Sequence, residues 1–139
     1  MRYHNGKWSP TDIDPTVFVF GSNLLGQHAG GAAAFAEQFG CAIHGIGQGY
    51  VPGHGPQGCK SGGYALPTMA MPGVPLTLRG VEAAVTLFVA YAVVRNDLTF
   101  FVTRVGCGIA GFADGDIAPL FAGAPENCIF PPEWKSILG

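Results

Sequence analysis

Two glycine-rich stretches hold the residues whose types and spacing could do chemistry in this chain. The first runs Gly21-Ser22-Asn23-Leu24-Leu25-Gly26-Gln27-His28-Ala29-Gly30-Gly31-Ala32 and the second Gly106-Cys107-Gly108-Ile109-Ala110-Gly111-Phe112. Glycine lacks the Cβ that would hold a phosphate off the backbone, so both stretches can turn amide N–H groups toward an anion. Where such a stretch opens a helix, the unbonded amides of the first turn add to the site. A diphosphate suits this chemistry. The first stretch has neither the Gly-x-x-x-x-Gly-Lys-Ser/Thr of a P-loop nor the Gly-x-Gly-x-x-Gly of a dinucleotide fold.

The side chains in and around these stretches each allow two readings. Asn23 either contacts a ligand or caps the turn after a strand. His28 either polarises a water or binds a phosphate oxygen, or is an ordinary exposed loop histidine. Cys107 sits among amides that would lower a thiol pKa, against the plainer reading of a small residue in a tight loop. Asp114 is read as a helix N-cap in preference to a general base. Arg104 pairs with a phosphate or with an acid such as Asp114. His44, His54, Cys41 and Cys59 match no zinc-ligand spacing, so no metal is expected, and no cofactor.

These residues need elements to position them. Thr16–Phe20 is an uninterrupted β-branched and aromatic run ending at Gly21, the pattern of a parallel strand buried on both faces. Ala29–Phe39 predicts a helix stopped by Gly40, and Cys41–His44 a short strand. Residues 45–63 have no hydrophobic period and predict a long loop, able to close over a ligand with Tyr50 or Tyr64 stacking on a base and Gln57 nearby. Tyr64–Thr68 predicts a strand and residues 69–78 a second loop. Arg79–Val94 is the clearest helix, with Val81, Ala84, Val85, Phe88 and Ala92 at helical spacing. Leu98–Val105 is a second strong strand running into the second glycine stretch, and Asp114–Phe121 a short helix. The opening residues read as an edge strand or a wrap, and Pro125–Gly139 as coil with a terminal helical turn.

Composition bounds the rest. One domain is expected from 139 residues, of which 48% are hydrophobic and 12% charged. A net charge of −2 without a basic run disfavours nucleic acid as a partner. No apolar run reaches the ~20 residues of a membrane span, and the N-terminus lacks a signal-peptide core, so the expectation is a cytoplasmic protein without a membrane partner. Four separated cysteines without a Cys-x-x-Cys pair read as reduced thiols. Oligomeric state is left open.

Taken together, Asn23 with Gly30-Gly31-Ala32-Ala33 and the Gly-Ile-x-Gly-aromatic core of Gly108–Phe112 resemble the macro domain, an ADP-ribose-binding module. Its first loop carries an Asn before a Gly-Gly-Gly-Val-Ala-like helix start, and its second reads Ser-Thr-Gly-Ile-Tyr-Gly after a late buried strand. The resemblance implies a three-layer α/β fold with a mostly parallel central sheet and a small nucleotide of the ADP-ribose type as partner. It implies that Asn23 bonds the distal ribose and that Ser22, Gly30, Gly31 and Ala32 clasp the diphosphate with Gly106, Cys107, Gly108, Ile109, Ala110 and Gly111. Phe112 would then stack near the distal ribose, and Asp12 would read the adenine amino group. Hydrolysis of an ADP-ribosyl or phosphate linkage would use water oriented by Asn23, the substrate phosphates and His28. The first loop departs from the family in carrying Gln27-His28 where the family is glycine-rich, and the chain falls short of the family's last strand and helix, which implies a reduced form of the fold. The same two stretches also look like a group of small uncharacterised bacterial and phage proteins. The alternatives to nucleotide turnover are a non-catalytic sensor or sponge for such a nucleotide, and an interaction protein whose glycines only permit close packing.

Overall fold

The computed structural model describes residues 1–8, 16–55 and 58–139. Among them seven strands form one sheet: β1 (Arg2–Tyr3), β2 (Val17–Asn23), β3 (Gly49–Val51), β4 (Gly63–Met71), β5 (Val74–Pro75), β6 (Phe100–Val102) and β7 (Cys128–Phe130). The order is β1-β7-β6-β2-β4-β3. All neighbours from β1 to β4 run parallel, and β3 and β5 each pair antiparallel with β4. The helices are α1 (Gly31–Gln38), α2 (Leu78–Val94), α3 (Asp114–Ile117) and α4 (Lys135–Leu138). The protein is thus an α/β fold of three layers around a mostly parallel sheet.

Alternation along the central strands divides the core. Val17, Val19, Tyr64, Leu66, Phe100 and Val102 face α2, α3 and Trp134, whereas Phe18, Phe20, Ala65 and Phe101 face α1. Both faces are covered, which is why β2 reads as a continuous apolar run. Phe88 of α2 lies at the centre of the larger core, edge-on to Tyr64, Phe100 and Phe121. Aromatic burial of this kind supplies roughly 1.5–3 kcal/mol per ring.

The α2 helix begins where Thr77 accepts a hydrogen bond from the amide of Gly80 at 3.2 Å. At its far end the Asn127 side chain donates to the carbonyls of Ala92, Arg95 and Leu98 at 3.0–3.2 Å. A residue 29 to 35 positions downstream thereby ties together the last turn of the helix and the segment that leaves it.

Several sequence expectations are corrected. β2 continues through Gly21 to Asn23, because β4 pairs alongside it as far as Asn23 and Met69. β4 likewise extends to Met71. Pro67 is tolerated within it because it falls between β3, which ends opposite Ala65, and β5, which begins opposite Met69. The expected strand at 41–44 is absent. The strand at 98–105 is confined to Phe100–Val102, and the coil expected after Pro125 contains β7. Cys41 and Cys59, read as thiols, form a disulfide with Cα atoms 5.8 Å apart. Sequence spacing could not show that Cys59 and His54 bond back to Phe39 and Gly40, at 3.1 Å each, which brings the two cysteines together. No helix among the described residues is long and apolar enough to cross a membrane.

Candidate functional site

The chain leaves β2 toward α1 on one face and leaves β6 toward α3 on the other. Between their carboxyl ends, where such connections diverge, an open parallel sheet forms its crevice. A cavity of about 400 Å³ lies there, within the ~300–1,000 Å³ range of small-molecule sites. Three walls enclose it: residues 21–33, residues 103–110, and Thr68, Met69, Pro72 and Gly73 from β4 and the turn into β5. The two walls lie close together at Gly21, where a Cβ would be in ordinary van der Waals contact, 3.6 Å, with the amide nitrogen of Gly106.

The first wall is built on a turn closed by Asn23. Its Nδ2 donates to the carbonyl of Gln27 at 2.9 Å, and its Oδ1 accepts from the Gln27 amide at 3.1 Å. Residues 43–47 press against the back of this turn. The Ser22 hydroxyl donates to the Gly47 carbonyl, and the Gly45 amide donates to the Gly26 carbonyl at 2.9 Å. A Cβ on Gly47 would lie 2.1 Å from the Asn23 carbonyl oxygen, so only glycine permits that approach. The wall ends in α1, whose N-cap Gly30 offers no side-chain cap. The first-turn amides of Gly31, Ala32 and Ala33 have no acceptor within the helix, and all three residues line the cavity.

The second wall is tied at its base. Phe112 donates its amide to Gly106 at 2.8 Å, Cys107 to Arg104 at 3.1 Å and Gly111 to Gly108 at 3.0 Å. The amides of Gly108, Ile109 and Ala110 are left without an acceptor among the described residues. Gly106, Gly108 and Gly111 have Gly-x-Gly-x-x-Gly spacing, yet α3 starts three residues later and is four residues long, so the long helix of a dinucleotide site is missing. Ile109, at the crown, is 71% exposed and reaches within 3.4 Å of where a Cβ of Gly30 would be, bridging the two walls.

Arg104 is the charged side chain of the cavity wall among the described residues. Its guanidinium grips Asp114 through two hydrogen bonds of 3.1 and 2.6 Å and approaches Glu133 at 3.6 Å. Asp114 also accepts the indole N–H of Trp134 at 2.7 Å. With Arg104 as the main cause, the carboxyl is held down to about 2. The N-cap of α3 is Ala113 rather than Asp114, whose carboxylate is turned to Arg104 instead. Burial, and then the neighbouring Asp114, push the Cys107 thiol up to about 12, against the lowered pKa that its amide neighbours led one to expect. It is a poor nucleophile.

Of the residues singled out from sequence, Ser22, Asn23, Gly30, Gly31, Ala32, Gly106, Cys107, Gly108, Ile109 and Ala110 line the cavity. His28 does not: its ring is buried edge-on to Phe20, with Nε2 3.2 Å from the Ile43 carbonyl. Gly111 and Phe112 are not part of the lining; Gly111 is exposed, and the Phe112 ring packs on Gly106. Asp12 and Gln57 fall outside the described residues. The described residues of the 45–63 segment line no part of the cavity. Tyr50 stacks on Tyr91, and Tyr64 packs edge-on against Phe88, so neither is free to stack on a base there. The third wall escaped sequence reasoning, because Thr68 and Met69 read as strand end and loop; Pro72-Gly73 was the available turn signal. No protein-family model, curated protein or solved structure matches the chain.

Proposed function

We propose that the chain binds ADP-ribose or a related ADP-ribose-containing nucleotide in this cavity, with the diphosphate on the amides of Gly31, Ala32 and Ala33 on one side and of Gly108, Ile109 and Ala110 on the other. The observation that carries the reading is that these six residues, from two glycine-rich segments, line one cavity at the sheet's switch point. Asn23 contributes to the ribose end through the N–H and lone pair that its turn leaves over. The apolar part of the wall, Met69, Val105 and Ile109, suits the flat faces of a ribose or base.

A second reading within the same site is a sensor or sponge that holds the nucleotide without turning it over. It is favoured by the lining, which among the described residues contains no carboxylate and no histidine to act as general base. Hydrolysis would rest on water positioned by the ligand's own phosphates and Asn23 alone.

Thermal unfolding with ADP-ribose, ADP, AMP and NAD tests the reading. At about 100 times the dissociation constant a bound ligand adds roughly 2.7 kcal/mol of stability. A shift selective for ADP-ribose, weakened in Gly108→Ala, is the expected result. If no nucleotide moves the transition, the cavity is not a nucleotide site and the glycines serve packing alone. Incubation of the bound ligand followed by chromatography then separates turnover from sequestration.

A further inference from the structure

The third wall of the cavity carries a break in the ladder. Along β2 and β4 the register runs Ser22 opposite Pro67 and then Asn23 opposite Met69, so Thr68 has no partner across the pair. A bulge of this kind re-aims a side chain, and bulges gather beside binding sites for that reason. Thr68 lines the cavity and is only 3% exposed. Its hydroxyl donates to the Ser22 carbonyl at 3.5 Å, the outer limit of a hydrogen bond. By contrast, the Thr103 hydroxyl on the same lining is spent on the Val19 carbonyl at 2.7 Å. Both lone pairs of Thr68 Oγ1 have no donor among the described residues.

Gly21 leaves space beside that oxygen. A Cβ on Gly21 would stand 3.4 Å from Thr68 Oγ1 and 3.6 Å from the Gly106 nitrogen, and all three residues line the cavity. Gly106 is buried, and its amide has no acceptor among the described residues. One point on the cavity floor is therefore flanked by an acceptor from β4 and an unpaired donor from the loop after β6, with room for an atom about the size of a methyl.

We infer that this point is a subsite for a sugar hydroxyl of the bound ligand, which accepts from the Gly106 N–H and donates to Thr68 Oγ1. A hydroxyl brings both a lone pair and a proton. An ionised phosphate oxygen has no proton for Thr68, and an ammonium group has no lone pair for Gly106. A ligand without the hydroxyl leaves two buried polar groups unpaired, and sites built to hydrogen-bond a hydroxyl reject analogues that lack it on that account. The phosphates stay with residues 31–33 and 108–110, and Thr68 selects those phosphate compounds that also carry a sugar. The inference rests on the proposed nucleotide binding only for the adenylate part of the ligand, since the subsite serves any sugar phosphate.

Calorimetric titration with ADP-ribose, ribose 5-phosphate and inorganic pyrophosphate, which carries no sugar, tests it in wild type, Thr68→Val, Thr68→Ser and Gly21→Ala. Valine keeps the shape of threonine and breaks only the long bond to Ser22. The methyl of Gly21→Ala meets nothing closer than 3.4 Å. Both variants should therefore fold, which thermal unfolding checks. They should weaken ADP-ribose binding roughly ten-fold or more while moving pyrophosphate less than about two-fold, and Thr68→Ser should restore most of what Thr68→Val loses. A Thr68→Val variant that binds ADP-ribose as wild type does, or that loses pyrophosphate equally, would overturn the inference. So would a wild-type chain that binds neither sugar ligand, whether or not it takes pyrophosphate. Binding of ribose 5-phosphate with the same dependence on Thr68, without binding of ADP-ribose, would sustain the subsite and remove the nucleotide reading instead.

Discussion

The two glycine walls of the cavity are alike in composition and opposite in mechanics. The wall after β2 is held from behind: residues 43–47 press on it through contacts that admit no Cβ, Ser22 spends its hydroxyl on the Gly47 carbonyl, and Asn23 gives one N–H and one lone pair to Gln27. The wall after β6 is held at its foot, by Arg104, Asp114 and Phe112, while at its crown Gly108 and Ile109 are exposed. Glycine therefore does two jobs here. In the first wall it allows backbone to touch backbone, and in the second it leaves amides open to a ligand.

Substitutions should separate these jobs, beginning with the largest effects. Gly47→Ala forces a methyl to within 2.1 Å of the Asn23 carbonyl oxygen. It should cost roughly 3 kcal/mol by denaturant unfolding, with ligand binding lost alongside. Removing the disulfide by Cys41→Ala and Cys59→Ala opens a loop of 18-residue separation and should cost up to about 3 kcal/mol. If the first wall is as self-supporting as its contacts indicate, the refolded double variant still binds. Asp114→Asn weakens the foot of the second wall. After allowance for partial exposure it should cost about 1 kcal/mol, and a wild-type level of stability would show that Glu133 and Trp134 suffice.

The same carboxylate sets a pH dependence. Its pKa is depressed in the fold, from an ordinary 3.8 to about 2. Its contribution is therefore complete above about pH 4 and is lost as pH falls toward 2. Unfolding followed from pH 5 to pH 2 should show a loss that is smaller in Asp114→Asn. Last, Gly108→Ala adds a methyl with nothing within 4 Å, so stability should stay within about 0.5 kcal/mol while ADP-ribose affinity falls at least ten-fold. An unchanged affinity would remove the Gly108 amide from the site.

How much of this was legible beforehand follows from the range of the forces involved. The α2 helix and the cores of β2 and β6 are written in local periodicity, and α2 was read to within one residue of its observed start, Leu78. Both glycine walls were found as well, since a strand followed by clustered glycine is a local pattern. What depended on distant partners was not legible. Asn23 and His28 look alike as polar loop residues, yet one faces the cavity and the other is buried beside Phe20, a difference decided by where Ile43 lies. The 45–63 segment looked like a lid because nothing in its own sequence shows that Gly45 and Gly47 are shaped to fit against Gly26 and Asn23. β7 was missed because three residues carry too little period to stand out from coil.

That short strand has a consequence for how the protein is made. β7 lies inside the sheet, between β1 and β6, and Trp134 just beyond it is fully buried with its indole on Asp114. During synthesis, which proceeds at roughly 5–20 residues per second, β2, β4 and both glycine stretches are made before β7 can pair with β6 and before Trp134 can fill its place in the core. Glu133 and Trp134 must be made before Arg104 and Asp114 have their full set of partners. A nascent chain stalled short of residue 128 would therefore present a half-built cavity next to an open strand edge, a form that chaperones would meet and ligands would not.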